Sequence, residues 1–202
     1  MATTSANEKT IPEIEQKLKI VGGDLSRILY IENCLKQQDI PNDVRRFCHI
    51  KLAELYAAKI MYPTAARHLE AAAGCATTYK EKMQLYFNES VLFLKKGDYP
   101  AVETAFKKAL AQTNEKEKIE LKNNLKKEFF TQAEAYIKRE RRGTAILIYE
   151  AMVALPFLSD GEKSDIMKIL HELYLKTGRI TDAMRFQKMN NAGKLPAARW
   201  DV

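Results

Sequence analysis

The stretch Tyr62-Pro63-Thr64-Ala65-x3-Leu69-x2-Ala72 returns 37 residues later as Tyr99-Pro100-Ala101-Val102-x3-Phe106-x2-Ala109. Both copies open with an aromatic and a proline, which suits the first turn of a helix, where a missing N–H costs nothing. Both continue with small or apolar residues three and four apart, so one helix face is apolar. Nine residues before Ala65 lies Tyr56, and nine before Val102 lies Phe93. The same interval separates Tyr136 from Ala145 and Tyr174 from Ala183, and Ile28, after Gly23-Asp24-Leu25, takes the small-residue slot of a weaker copy. The slots Ile28, Ala65, Val102, Ala145 and Ala183 step by 37, 37, 43 and 38 residues. A large side chain on one helix and a small one on the next is the pattern that lets two backbones approach closely. One such hairpin cannot bury its outer face, whereas several stacked hairpins share a continuous core.

Helix punctuation agrees with this period. Thr10-x-x-Glu13 reads as a capping box with Pro12 in the first turn, and Ser159-x-x-Glu162 as another. Gly22-Gly23, Gly97 and Gly178 read as stops, and Pro41 and Pro63 as starts. The seventh helix is expected to run from about Glu115 to Arg141 and to break at Gly143, and the tenth to end before Gly193. No segment alternates apolar and polar residues with β-branched enrichment, so no strand is expected. Ten helices joined by short links make five antiparallel pairs.

The pattern resembles the tetratricopeptide-repeat (TPR) family, whose motif is W-x2-L-G-x2-Y followed by A-x3-F and a proline. Leu52-Ala53-x2-Tyr56 with Ala65-x3-Leu69 follows it most closely. Tyr86-x2-Glu89-Ser90-x2-Phe93 with Val102-x3-Phe106 places Glu89 where an apolar residue belongs. Phe129-x2-Gln132-Ala133-x2-Tyr136 with Ala145-x3-Tyr149 keeps the aromatics, and Met167-x2-Leu170-His171-x2-Tyr174 with Ala183-x3-Gln187 loses the second. The closing prolines are displaced or absent, and the period exceeds the usual ~34 residues. The resemblance spans about residues 46 to 190 and implies an all-α, right-handed α-solenoid of about five hairpins. The expected organisation is a tail over residues 1–10, a repeat domain over 11–190 and a tail over 191–202.

In the TPR family the first helix of each hairpin lines a concave groove that takes a peptide or a helix. Carried over, the partner groove consists of Phe47, Ile50, Phe87, Asn88, Val91, Lys95, Lys127, Phe130, Lys138 and Lys176: an apolar floor with a basic edge. An acidic or amphipathic protein segment is the implied partner. Asn88 and Lys127 match two positions of the clamp by which some TPR domains hold chaperone carboxylate tails. Ile50, Glu54 and Thr131 stand where Lys, Asn and Arg belong, so that particular ligand is not expected.

The 202 residues carry 33 basic and 26 acidic side chains, a formal +7. Between Lys107 and Arg142 there are 11 basic and 6 acidic residues, +5 of that excess. Lys118, Lys122 and Lys126, with Arg139, Arg141 and Arg142, form a basic patch on the seventh helix. One reading is an RNA-associated protein binding phosphates through it; the other is a solvated helix face with cations at the C-terminal end of the macrodipole.

Motifs with chemistry are missing. His49, His68 and His171 fall on three different expected helices, Cys34, Cys48 and Cys75 show no Cys-x-x-Cys spacing, and no nucleotide-binding or nucleophile-elbow motif occurs. The chain is therefore expected to be a non-catalytic adaptor or scaffold with no cofactor and no metal site. Three cysteines fit a reducing compartment. No apolar run reaches the ~20 residues of a membrane span and Met1–Thr10 has no secretory apolar stretch, so a cytoplasmic location is expected. Trp200, the single tryptophan, sits in a C-terminal tail read as a cap on the last hairpin or as a peptide for another groove.

Overall fold

The capping signals open helices where they occur. Thr78 Oγ1 accepts from the Glu81 N–H at 3.2 Å while the Glu81 carboxylate accepts from the Thr78 N–H at 3.3 Å. Ser159 and Glu162 repeat this exchange at 3.3 and 2.8 Å, and Glu13 accepts from the Thr10 N–H at 3.2 Å. The computed structural model describes residues 8–191. Its helices are α1 (Ile11–Ile20), α2 (Asp24–Leu35), α3 (Asn42–Ala58), α4 (Tyr62–Cys75), α5 (Tyr79–Lys96), α6 (Tyr99–Leu110), α7 (Glu115–Lys138), α8 (Arg142–Val153), α9 (Asp160–Lys176) and α10 (Ile180–Asn191). No strand occurs among the described residues, and none of their helices is long and apolar enough to cross a membrane.

The helices gather into two compact units divided between Asn114 and Glu115. In the first, α2 packs on α3, α3 on α4, α4 on α5 and α5 on α6. Its core includes two clusters among the described residues. Ile14, Ile28, Tyr30, Ile31, Cys34, Val44, Cys48 and Leu52 join α1, α2 and α3. Ala53, Ala65, Leu69, Ala72, Leu85 and Leu92 join α3, α4 and α5. In the second unit α7 packs on α8, α8 on α9 and α9 on α10.

All five slot residues are buried: Ile28 is 6% exposed and Ala65, Val102, Ala145 and Ala183 are fully enclosed. The turns share a second signature. The positive-φ residues are Gly23, Ile60, Gly97, Glu140 and Gly178, each five positions before a slot. At four of these turns the N–H of the next residue bonds back to the aromatic's carbonyl: Met61 to Tyr56, Asp98 to Phe93, Arg141 to Tyr136 and Arg179 to Tyr174, all at 2.9–3.0 Å. This is the closure that a left-handed residue allows at a helix C-terminus. The seventh helix departs from expectation here. It ends at Lys138 because Glu140 takes the left-handed turn, and Gly143 lies inside α8 rather than breaking the chain.

Two of the repeated aromatics reach back to the preceding helix pair. Tyr56 donates to Glu32 on α2 at 2.9 Å and Tyr174 to Glu150 on α8 at 2.6 Å, each across 24 residues. Phe93 has no hydroxyl to do this, and Glu70 on α4 binds Lys108 of α6 instead, at 2.6 Å.

Two stability predictions follow from the turns and slots. Ala145→Leu is expected to overpack α7 against α8 and cost about 1–3 kcal/mol; an unchanged urea midpoint would mean that the slot is not a close contact. Ile60 is β-branched, 72% exposed and held at φ 63°. Ile60→Gly relieves about 1–2 kcal/mol of left-handed strain against about 0.5–1 kcal/mol of added chain entropy. Its midpoint is expected to rise slightly, and a fall would show that the side chain holds the turn.

Candidate partner groove

Between α1, α2 and α3 the first unit forms an open cavity of about 610 Å³. Its floor is Leu18, Ile31, Leu55 and Ala58, and its rim is Glu15, Lys19, Asp24, Arg27, Lys51 and Glu54. The rim follows from the helix ends. Arg27 donates from Nε to the Val21 carbonyl at 3.1 Å, which ties the start of α2 to the end of α1. Asp24, in the first turn of α2, reaches Lys59 at 3.6 Å and so draws the α3–α4 turn toward α2. Lys51 binds Glu54 at 2.9 Å and lies over the Phe47 ring, 5.6 Å from its centre. Three acidic and three basic side chains surround an apolar floor, so the site suits a segment with apolar residues on one face and charges of both signs at its margins.

Of the residues read from the sequence as groove residues, Phe47 and Ile50 are half-buried and pack against the two core clusters. Val91 is half-buried, and Asn88 and Lys95 are exposed. Phe87 corrects the reading: it is 9% exposed and meets Phe106 of α6 edge-on at 6.5 Å, so it fills the α5–α6 hairpin rather than a floor. Lys127, Phe130, Lys138 and Lys176 belong to the second unit, where Phe130 meets Tyr149 edge-on at 5.9 Å and the three lysines are exposed. None of these ten residues lines the observed cavity, to which α3 contributes Lys51, Glu54, Leu55 and Ala58. Its other walls come from α1 and α2, the weakest copy of the repeat.

The lysine ladder of α7 is engaged within its own unit. Lys118 binds Glu115 at 2.6 Å, Lys126 binds Glu162 at 2.7 Å, and Lys122 lies over Phe157 at 5.8 Å. The Lys126 contact, with the Ser159 capping bonds, holds the Glu162 carboxyl at about 2. Arg139 and Arg141 are exposed and Arg142 is half-buried where α8 opens. Trp200 and its tail lie outside the described residues.

Two buried polar clusters escaped the sequence reading. Glu89, read only as a misfit, is 4% exposed, with Lys108 at 3.7 Å and its Oε2 unpartnered among the described residues. Burial pushes its carboxyl up to about 7 against the pull of Lys108. The fold also brings His49 of α3 against His68 of α4, Nδ1 to Nδ1 at 3.1 Å. Burial, His68 and Arg45 hold His49 down at about 4. His171 stands apart, with its Nδ1 2.9 Å from the Ala183 carbonyl.

A scan against protein-family models and a search of curated proteins returned no match for this chain.

Proposed function

We propose that the chain is a non-catalytic adaptor or assembly scaffold of the TPR-like kind, a right-handed stack of five helical hairpins that holds an amphipathic segment of another protein. The recurring left-handed turn five residues before each buried slot supports the five-hairpin register. The observation that carries the binding reading is the 610 Å³ cavity, with Leu18, Ile31 and Leu55 beneath a rim of mixed charge. A pocket of this size accepts two or three apolar side chains of a bound segment, and the rim fixes its direction by pairing both signs of charge.

The test uses the full chain with a photo-crosslinking residue in place of Ala58, which lies on the cavity wall and is exposed. A single native-cell protein is expected to attach at that position, through an amphipathic segment identified by mass spectrometry. Leu55→Arg places a charge on the floor and is expected to abolish attachment while the helical circular dichroism is retained. Attachment that survives Leu55→Arg in a folded chain would move the binding site elsewhere.

A further inference from the structure

We propose that His49 and His68 form a two-imidazole chelate for a divalent transition-metal ion, a site independent of the peptide groove. The α3–α4 hairpin places the two Nδ1 atoms 3.1 Å apart, with ring centres at 5.4 Å and planes inclined by 33°. A metal bound to imidazole nitrogen lies about 2.0–2.1 Å from it, so an ion shared by two nitrogens at this separation subtends about 98°. That angle falls between the square-planar and tetrahedral values, so the bite fits Cu²⁺, Ni²⁺ and Zn²⁺, with Cu²⁺ the tightest.

The rings are held for this role. Tyr56 stacks on His68 with centres 5.4 Å apart and planes within 5°. The Tyr56 hydroxyl donates to Glu32 at 2.9 Å, which anchors the stacked ring to α2. Second-neighbour bonds of this kind orient ligands in metal centres. Both imidazoles are half-buried, so the pair is partly accessible to solvent. Arg45 lies beside His49 and Arg67 beside His68; the neutral imidazole is the form that binds metal. Those two guanidiniums disfavour an added cation, and the Glu32 carboxylate near His68 opposes them.

In the metal-free pair one Nδ1–H donates to the other Nδ1, a single proton between two nitrogens. Metal entry moves that proton to Nε2 of the same ring through solvent. Both Nδ1 lone pairs then face the ion, and no net proton is released.

The experiment uses the full chain as Cys75→Ser, so that its half-buried thiol cannot compete, stripped with a chelator and studied near neutral pH. Cu²⁺ is expected to bind one per chain, with an electron paramagnetic resonance spectrum split by two nitrogens. Zn²⁺ is expected to shift the ring ¹⁵N signals of His49 and His68 and leave those of His171 in place. His49→Gln and His68→Gln should each weaken binding about tenfold or more. Folded variants with unchanged affinity would overturn the site. If a variant fails to fold, the spectra of the Cys75→Ser chain decide: one coupled nitrogen or none, or His49 and His68 ring signals unmoved by millimolar Zn²⁺, would also overturn it.

Discussion

Glu89→Gln is expected to give the chain a stability that climbs with pH, where the unsubstituted chain stays nearly level. The reason is a proton exchanged within the fold. Glu89 rises from an ordinary 4.5 to about 7 because it is buried, and His49 falls from 6.5 to about 4 for the same reason, aided by His68 and Arg45. Between pH 4.5 and 6.5 the unfolded chain has released the Glu89 proton that the folded chain still holds, so this group makes stability fall as pH rises. Over the same window the unfolded chain protonates His49 while the folded chain leaves it neutral, so stability rises with pH. Each slope is about 1.4 kcal/mol per pH unit, with opposite signs.

Removing one group exposes the other. Glu89→Gln leaves the histidine slope, and stability should climb by about 2–3 kcal/mol across the window. His49→Phe leaves the carboxylate slope, and stability should fall by a similar amount, about 2–3 kcal/mol. His68, also lowered by burial, adds to the histidine side and tilts the unsubstituted profile slightly upward. Carboxylates held low, such as Glu162 and Asp98, lose their contribution only as pH falls below their ordinary values, beneath most of this window. At about pH 8 Glu89→Gln should exceed the unsubstituted chain by about 3 kcal/mol, because it no longer ionises a buried carboxyl. Urea denaturation at a series of pH values measures all three profiles. A level profile for Glu89→Gln would show that His49 is not held neutral in the fold, and a level profile for His49→Phe would show that Glu89 is ionised there throughout.

Local features of the chain were readable from the sequence, and features that depend on approach in space were not. The helices, the capping boxes and the buried slots Ala65, Val102, Ala145 and Ala183 follow from short-range periodicity, which survives folding because each hairpin packs on its sequence neighbour. The left-handed turns were readable where glycine marks them, at Gly23, Gly97 and Gly178. At Ile60 and Glu140 the side chains give no such cue, and only the distance to the next slot locates the turn; Gly143 drew the break to the wrong residue. Glu89 stood out as a polar residue in an apolar slot, yet its raised pKa comes from burial, with Glu70 of α4 adding to it and Lys108 of α6 opposing it. His49 and His68 lie 19 residues apart, and neither neighbourhood in sequence suggests the other. The cavity was the least readable, since it takes its walls from α1 and α2, where the repeat is most degraded.

Tyr174→Ala is expected to unfold the second unit under conditions that leave Tyr174→Phe folded. Tyr174 is 1% exposed and touches three helices at once. From α9 its hydroxyl donates to Glu150 of α8 at 2.6 Å, and its ring stacks on Phe186 of α10 with centres 5.4 Å apart. The Arg179 guanidinium, in the turn between α9 and α10, lies over the same ring at 4.7 Å. Truncation to alanine removes the packing of both neighbours and leaves a void between them, a loss of about 3–5 kcal/mol for a buried aromatic. Phenylalanine keeps the ring, the stack and the cation over its face. It loses only the hydroxyl bond and leaves Glu150, which is half-buried, to find water, a loss of about 1–2 kcal/mol. Tyr56→Phe, which breaks the equivalent bond to Glu32 in the first unit, should cost about as much, 1–2 kcal/mol. Chemical denaturation of the three variants separates the two roles of the repeated aromatic. If Tyr174→Phe costs as much as Tyr174→Ala, the backward hydrogen bond rather than the ring joins α9 to α8. If neither variant loses stability, the aromatic nine residues before the slot does not hold successive hairpins together.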